Sequence, residues 1–384
     1  MTPPPIRTDG SNWFAANTMR VRVPNIIRET QHLNDFPMSI HTALDRLRES
    51  IENDALIPSL PNSAPDYDLW IEAFATHEGE TWLNSEWFYA EVYLYRLIIG
   101  AVDWHSSGLD PFVAKKEEEI TGEGIQAAIR HALSASPETR LRDLLLHSLW
   151  GNRVDLSYIV GTTHGAATEA DLLSDDRAAV IDHLQGRESG HIHMILDNAG
   201  TELAMDLILA DALLDTAERI TLHVKEHPTF VSDATRTDVL EFLSEMSLRG
   251  SLTRGFGQEA REVSERLQAA IMDDRLRITP DRWWNSPYFL WQMPPRLTWQ
   301  LEDAALVIIK GDANYRRMVG DALWQPETPF AEVVSYFPAP LLALRTGKSD
   351  TIVGLAPGLA GTLDAAQNDW RFNGKHGVIQ FYRP

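Results

Sequence analysis

The stretch HIHMILDNAGTE, residues 191–202, decides the fold of this chain. Its apolar first half has the length and composition of a short buried strand. Gly200 then permits a tight turn, and a helix with apolar residues at helical spacing follows it. A strand that leads directly into a helix is half of a β-α-β unit, which builds parallel sheets covered on both faces. We therefore expect Asp197 and Asn198, between strand and helix, to lie at the edge of the sheet where such folds bind ligands.

Short β-rich runs and amphipathic helices alternate from about residue 155 to the C-terminus. This alternation predicts an α/β fold in which residues 151–384 form a doubly wound, mainly parallel, Rossmann-like sheet core. The strands are predicted at Gly190–Leu196, Arg219–Lys225, Ala305–Lys310, Leu341–Thr346, Thr351–Leu355 and Val378–Tyr382. The helices of this part are predicted at Thr168–Leu173, Asp176–Leu184, Thr201–Thr216, Thr235–Leu248, Gln258–Met272 and Ala313–Leu323.

The first 150 residues have a different pattern. Apolar residues recur three and four positions apart, and Pro, Gly and Asn separate the periodic segments, which is typical of consecutive helices. Helices are predicted over 38–54, 66–76, 86–101, 122–134 and 137–149. We therefore expect residues 1–150 to form a helical N-terminal portion joined to the α/β core.

Composition excludes several classes of protein. The chain of 384 residues has 34 Lys and Arg against 55 Asp and Glu, a net charge of −21, which disfavours nucleic-acid and anionic-membrane partners. It contains no cysteine, so disulfides, thiolate nucleophiles, iron–sulfur clusters and Cys-based zinc sites are absent. No apolar run is long enough to span a bilayer, and the first residues lack a signal core. We expect a cytoplasmic protein that handles any anionic substrate through a local metal ion or basic pocket.

Oxygen ligands follow two predicted strands. Asp197 and Asn198 stand at the end of the first core strand, and Asp233 comes 36 residues later, after the second. Neighbouring strand ends could bring the three side chains around one hard cation, because Mg²⁺ and Mn²⁺ prefer such ligands and keep positions open for water and phosphate. The alternative is that these residues only cap the helices that follow them, where acids also favour the positive N-terminus.

Basic residues follow two later strands. Lys310 precedes Gly311, Asp312, Ala313 and Asn314 at a predicted helix start, a combination that suits an anion. A second cluster, Arg345 and Lys348, follows the strand at Leu341–Thr346. The alternative is that both clusters are solvated turn residues.

Other features favour structural roles. His191 and His193 alternate along a strand and share a face, yet no third ligand accompanies them. The aromatic residues between Trp283 and Trp291 favour a packed connector over a sugar or nucleoside pocket. The chain has no G-x-G-x-x-G, P-loop, G-x-S-x-G or H-E-x-x-H pattern, which argues against the common dinucleotide, nucleoside-triphosphate and serine-hydrolase sites.

Taken together, the segments resemble one family, the metal-dependent damage-control phosphatases, in the branch with sugar-phosphate phosphatases and proteins named as acidic-residue methyltransferases. The resemblance runs from about residue 15 to the C-terminus. The chain departs from the family pattern at Gly347, which replaces a bulkier or thiol residue, but the basic residue that follows, Lys348, is present. The segments that carry it are Asp197-Asn198-Ala199-Gly200-x-Glu202, Val231-Ser232-Asp233-Ala234-Thr235, Lys310-Gly311-Asp312-Ala313-Asn314-Tyr315-Arg316, Arg345-Thr346-x-Lys348, Trp87-Phe88-x-Ala90-Glu91-x-Tyr93-x-Tyr95-Arg96 and Leu149-Trp150-Gly151-Asn152-Arg153-x-Asp155-Leu156-Ser157.

The resemblance implies a set of roles. Asp197, Asn198 and Asp233 would bind a divalent cation, Mn²⁺, Mg²⁺, Co²⁺ or Ni²⁺. Lys348 and the loop from Lys310 to Asn314 would hold the substrate phosphate, with Glu202 on the substrate side. The helical N-terminal portion would cover the cleft.

The expected reaction is hydrolysis of small phosphomonoesters, sugar phosphates such as fructose 1-phosphate, by metal-activated water. The alternative is that Asp197 attacks and forms a phospho-enzyme, which is disfavoured because a metal ligand is a poor simultaneous nucleophile. Asp197, Asp312 and Lys348 are the predicted catalytic residues, with Asp312 as general acid or base, or as a group that orients Lys310; Arg345 is a further candidate for substrate binding. The main alternative is an S-adenosylmethionine-dependent protein-glutamate O-methyltransferase, which the acidic turn after the first strand disfavours. A non-catalytic binding module is a third hypothesis, and the oligomeric state stays open.

Overall fold

The structure, a computed structural model, describes residues 2–151, 169–186, 189–249 and 256–384. Residues 152–157 of the family resemblance and the first residue of the helix predicted at Thr168–Leu173 lie outside this part of the chain. No helix among the described residues has the length and hydropathy needed to cross a membrane.

The N-terminal portion is helical, as predicted. Its longest apolar helix, α5, is buried along nearly its whole length, and the surrounding helices pack their apolar faces against it to form one hydrophobic core. All five predicted helices are confirmed, with ends that shift by at most a few residues. The helices are α1 (Trp13–Asn17), a π-helical turn (Thr18–Arg22), α2 (Val23–Leu33), α3 (Met38–Glu52), α4 (Tyr67–Thr76), α5 (Trp87–Ala101), α6 (Trp104–Ser107), α7 (Val113–Thr121), α8 (Glu123–Leu133) and α9 (Arg140–Trp150).

A seven-stranded sheet forms the centre of the rest of the chain, in the order β1-β7-β6-β5-β2-β3-β4. Strands β2 to β6 are mutually parallel, whereas β7 runs antiparallel to β6 and β1 runs parallel to β7. The predicted mixed α/β fold with a mainly parallel sheet is confirmed. The strands are β1 (Leu172–Asp175), β2 (His191–Ile195), β3 (Arg219–Lys225), β4 (Leu276–Asp281), β5 (Leu306–Lys310), β6 (Leu341–Thr346) and β7 (Gly377–Tyr382).

Helices cover both faces of the sheet, so β2, β5 and β6 are almost continuously buried, as strands of doubly covered sheets must be. One core cluster joins α8 and α9 of the N-terminal portion to helix α11 and the sheet, and a second lies on the opposite face. The helices are α10 (Arg177–Gln185), α11 (Thr201–Leu213), α12 (Arg236–Arg249), α13 (Gln258–Met272), α14 (Pro295–Leu301), α15 (Gly311–Val319), α16 (Phe330–Val333) and α17 (Leu359–Ala366).

Two predicted elements are wrong. The segment Thr351–Leu355 is not a strand, because its backbone N–H groups bond to a loop and to a side chain: Gly354 to Thr328 O at 2.8 Å, and Val353 to Tyr315 Oη at 3.3 Å. The helix predicted up to Leu173 is replaced there by the short edge strand β1, which pairs with β7. Side-chain periodicity did not reveal either pairing, since both depend on distant segments.

Strand β4 was missed as well. Its sequence, LRITPD, is largely polar and contains a proline because it is an edge strand that pairs only with β3.

Candidate active site at the carboxyl edge of the sheet

The strand order reverses between β2 and β5. From β2 the chain adds β3 and β4 on one side, then returns to place β5 and β6 on the other. The crevice at such a switch point, outside the carboxyl ends of the strands, is where open α/β sheets bind ligands. Asp197 follows β2 and Gly311 follows β5, so these residues meet at this point.

The loops after β2 and β3 are joined by backbone hydrogen bonds. Ala234 N donates to Asp197 O at 2.7 Å, and Ala199 N donates to Ser232 O at 2.6 Å. An isolated bridge pairs Asn198 with Asp233. The structure therefore brings together the three residues that were predicted from the sequence as metal ligands, although 36 positions separate Asp197 from Asp233.

Gly311 makes room for the Asp197 carboxylate. Its φ of +80° lies in the left-handed region that favours glycine, and a Cβ added here would overlap the Asp197 side chain. The carboxylate therefore rests against the first residue of α15, whose helix N-terminus favours negative charge.

Buried acids surround this point. Asp197, Asp233, Glu202 and Asp206 are each at most 4% exposed. Burial, reinforced by the charges of Asp233 and Glu202, raises the pKa of Asp197 well above its usual value. Burial also raises the pKa of Asp233, although Lys225 opposes the shift, and raises the pKa of Asp206 to about 7. An anionic cluster that resists ionisation in this way is stabilised by added positive charge.

Two buried lysines supply part of the positive charge that stabilises these acids. Lys225 Nζ lies 3.2 Å from Asp233 Oδ2, and Lys310 Nζ lies 3.0 Å from Asp206 Oδ1 and 3.3 Å from Glu202 Oε1. Lys310 also donates to the Ser148 carbonyl of α9. Its ammonium group is fully buried and engaged by these partners, which favours an internal structural role over direct contact with a phosphate.

The Asn198 amide lies between two acids. Its Nδ2 donates to Asp197 Oδ2 at 3.0 Å and to Glu202 Oε2 at 2.9 Å, while its Oδ1 accepts from Ser232 Oγ at 2.6 Å. Rotating the amide by half a turn would bring Oδ1 to the carboxylates, and the Ser232 hydroxyl could then accept from Nδ2. A cation beside Asp197 would favour that rotation.

The residues fit a divalent cation. Two buried carboxylates and one amide are the oxygen ligands that Mg²⁺ and Mn²⁺ use when water or substrate completes the shell. In the described part of the chain no three His, Asp or Glu side chains already converge as a metal-ligating group, so the set depends on the amide.

Asp312 braces the loop that carries Lys348. Its Oδ1 accepts from Arg345 Nε at 2.8 Å, from Lys348 N at 3.0 Å and from Ser349 Oγ at 3.0 Å. Burial would raise the pKa of Asp312, but the charges of Arg345 and Arg316 and these bonds hold it below its usual value. A carboxylate held ionised in this way is suited to positioning, and less to donating a proton.

The remaining predicted substrate residues divide into two groups. Arg345 is 1% exposed and also donates to the carbonyls of Thr351 and Ser349, so its donors are used within the protein. Asn314 donates to the carbonyls of Leu196 and Lys310 and thereby ties β2 to β5. Lys348, after β6, and Ala313, on α15 next to Asn314, are both partly exposed.

Three further charged residues lie around the site and were not predicted from the sequence. Lys225 ends β3 and pairs with Asp233, so only the sheet register could have revealed it. Lys116 and Glu119 of α7 reach the core from the helical portion: Lys116 Nζ lies 2.8 Å from Asp238 Oδ2, and Glu119 Oε1 accepts from Thr201 N at 3.0 Å. Lys116 and Glu119 are three residues apart and therefore share one face of α7, a spacing that can be recognised in the sequence.

The loop before Asp233 is strained. Phe230 and Val231 both have positive φ, 48° and 72°, which is costly for residues with a Cβ and most so for a β-branched one. Phe230 packs on Tyr95 of α5, at a ring distance of 5.0 Å. The helical portion therefore helps to hold the loop that presents Asp233.

The histidines and the aromatic segment have the contacts of structural groups. His191 Nε2 lies 2.9 Å from Thr221 Oγ1, and His193 Nδ1 lies 2.8 Å from His223 Nε2. Trp283 and Trp284 are buried in the core cluster of the sheet's second face, within the connector from β4 to α14.

Comparison with known proteins gives a consistent result. The family model described as "Damage-control phosphatase ARMT1-like domain" matches residues 18–363. The damage-control phosphatase ARMT1 of Mus musculus is 31% identical over 97% of this chain and 96% of its own length. That of Xenopus tropicalis is 30% identical over 97% of both chains.

A solved structure supports the fold. A DUF89 family protein from Pyrococcus horikoshii covers 96% of this chain and 98% of its own, with a TM-score of 0.51 and 14% identity. At that identity the likeness concerns the fold alone. The family match spans most of the chain, and the named relatives are phosphatases: this chain belongs to the ARMT1-like family of damage-control phosphatases and is a phosphatase, a hydrolase.

Proposed function

We propose that this phosphatase hydrolyses phosphomonoesters of small metabolites, sugar phosphates such as fructose 1-phosphate, with Mn²⁺ or Mg²⁺ held by Asp197, Asn198 and Asp233. Co²⁺ or Ni²⁺ would also suit this ligand set. The observation that carries the proposal is the pairing of Asn198 with Asp233 at the switch point, where buried acids face a partly exposed lysine, Lys348.

The chain's residues divide the work of phosphoryl transfer. A divalent cation supplies charge neutralisation at the phosphoryl group and lowers the pKa of a water. Asp197 and Asp233 would bind that cation, and because Asp197 is needed as a ligand we assign the nucleophile to water. Lys348, fixed by Asp312 through its backbone N–H, would stabilise the phosphoryl oxygens. Glu202, which accepts from Asn198 Nδ2 in the structure, would be released from that bond when the amide turns its oxygen to the cation, and it would then lie on the substrate side.

The proposal is tested by phosphate release from a panel of sugar phosphates. Metal-stripped protein would be assayed with Mg²⁺, Mn²⁺, Co²⁺ or Ni²⁺ added back, beside the variants Asp197→Asn and Asp233→Asn. These variants keep the side-chain volume, so we expect them to fold and to lose metal-dependent release. Metal-dependent release that persists in both variants would move the metal site elsewhere, and release that needs no metal would contradict the proposed metal dependence. No release from any sugar phosphate would exclude this substrate class and make S-adenosylmethionine binding the next assay.

A further inference from the structure

A large cavity lies within the helical portion, between α3, α5, α6 and the loop 58–65. Its volume of about 610 Å³ is in the range of small-molecule binding sites. The described residues that line it include neither the proposed metal ligands nor Lys348. On the side towards the sheet, His105 of α6 lines the cavity, and its ring lies 6.3 Å from that of His227 in the loop after β3. The cavity is therefore separate from the proposed active site.

Most of the cavity lining is aliphatic. Leu47 of α3 and Leu97 of α5 contribute to two walls, and Pro58, Pro61 and Pro65 contribute to the loop wall. Because a proline has no N–H group and a fixed φ, the loop wall is apolar and largely preformed. Among the described lining residues there is no Trp, Tyr or Phe on which a planar ring could stack. These features favour an aliphatic chain as the occupant.

A buried arginine offers one donor to this cavity. Arg96 is 3% exposed, and its Nε and Nη2 each donate to the Asp66 carboxylate at 2.6 Å. Its Nη1 has no hydrogen-bond partner among the described residues and lies 3.3 Å from where a Cβ on Gly100 would stand. Arg96 and Gly100 both line the cavity. Since a donor removed from water is costly without a partner, a ligand oxygen here would be stabilised.

A second arginine at the same cavity is unpaired. Arg46 of α3 is exposed and has no ion pair among the described residues, whereas Arg48 on the same helix pairs with Asp45 and Glu52. In a chain with 55 acidic and 34 basic residues, two arginines at one cavity indicate an anionic ligand. Asp103 is the one acid among the described lining residues, and it favours a head group with a single negative charge over one with two.

We propose that this cavity is a binding site for a small aliphatic carboxylate. Its chain would pack against the leucines and prolines, and its head group would accept hydrogen bonds from Arg46 and from Arg96 Nη1. A carboxylate fits because it carries one charge and has two acceptor oxygens, one for each arginine. The inference does not rest on the proposed function, since it uses no residue of the proposed active site.

The experiment is a calorimetric titration of the full chain with octanoate, and with octanol as the neutral analogue. Wild type is compared with Ala43→Phe, which fills the cavity from α3, and with Arg46→Ala, which removes one proposed contact to the head group. Arg20→Ala is the matched control, because Arg20 is an exposed arginine of the helical portion that is not among the described lining residues. Thermal unfolding of each variant verifies that the protein is folded.

We expect octanoate to bind wild type at a single class of site and not to bind Ala43→Phe. Binding should be about threefold weaker in Arg46→Ala, the effect of losing one solvent-exposed ion pair, and unchanged in Arg20→Ala. Octanol should bind about tenfold more weakly than octanoate, because it lacks the charge that strengthens the hydrogen bonds from the arginines.

Two results would overturn the site itself: no saturable binding of octanoate to wild type, or binding that persists unchanged in Ala43→Phe. Two others would overturn the assignment of an anionic ligand. One is octanol binding as tightly as octanoate, and the other is an equal loss in Arg46→Ala and Arg20→Ala, because net charge would then explain the effect.

Discussion

At the scale of single residues, the site depends on backbone conformation as much as on charged groups. Gly311 adopts positive φ and lies directly against the Asp197 carboxylate. The site therefore requires a residue without a side chain at this position. Lys348 depends on its neighbours, because Asp312 holds its backbone N–H. Both residues can be tested by substitutions with matched controls.

Gly311→Ala should destabilise the protein and reduce phosphatase activity. An alanine at this φ costs about 1 kcal/mol or more, and its Cβ would displace Asp197. Gly361→Ala is the control, since Gly361 lies inside α17 with nothing within 4 Å of a Cβ, and it should stabilise by about 0.5–1 kcal/mol. Urea unfolding and turnover measure both effects; full activity in Gly311→Ala would contradict the proposed placement of Asp197.

Lys348→Ala should lower kcat/KM for a phosphorylated substrate by on the order of 10–100-fold, because one cation is lost from the developing phosphoryl charge. Steady-state kinetics with Mn²⁺ present provide the measurement. Lys375→Ala, which removes an exposed lysine of the loop before β7, should leave the same constants unchanged. If the two variants behaved alike, the phosphate would have to bind away from Lys348.

At the scale of elements, α7 ties the helical portion to the loops of the sheet. Lys116 reaches Asp238, and Asp238 accepts from both the N–H and the hydroxyl of Thr235 at 2.7 Å. The chain from Asp233 into α12 is thus fixed from outside the sheet. The strained residues Phe230 and Val231 in the same loop are held in place by packing on the helical core.

Lys116→Ala should lower the free energy of unfolding by about 3–5 kcal/mol, because it leaves the Asp238 carboxylate largely buried without its cation. The neighbouring Lys115 offers a direct comparison: its pair with Glu29 is exposed, so Lys115→Ala should cost about 0–1 kcal/mol. Urea denaturation of both variants gives the difference. A cost below 1 kcal/mol for Lys116→Ala would show that α7 does not anchor the loop.

At the scale of the whole molecule, the buried acids make the free energy of unfolding depend on pH and on the bound metal. An acid whose pKa is raised in the folded state favours folding at low pH, and this contribution is lost as the pH rises through the folded pKa. For Asp206 that window runs from its usual value near 3.8 to about 7. Asp197 and Asp233 are raised in the same direction.

Mn²⁺ should therefore raise the melting temperature more at about pH 8 than at about pH 5, because the ligating carboxylates must lose protons to bind the cation. Differential scanning calorimetry of metal-stripped protein, with and without Mn²⁺, measures this at both pH values. The Asp197→Asn variant should lose most of the increase. An equal increase at both pH values would indicate binding at surface acids that are already ionised.

Much of the fold could be predicted because its signals are local. The apolar run before Asp197, the glycine turn and the helix after it are all visible within a few residues, and five of the nine α-helices before residue 151 follow from apolar spacing alone. Strands β1 and β4 could not be predicted in this way, because each is an edge strand with few buried residues: none is fully buried in β1, and only Leu276 and Ile278 are buried in β4.

The sequence by itself determined the class of fold and the residue types at the strand ends: Asp197, Asn198 and Asp233 on one side of the switch point, and Lys310 and Lys348 on the other. Tertiary structure alone decided which buried charges meet. It paired Lys310 with Asp206 and Glu202, Lys225 with Asp233, and Glu119 with the N-terminus of α11. Backbone periodicity depends on neighbours along the chain, whereas the energy of a buried charge depends on distance in space and on desolvation, which only the packed fold defines.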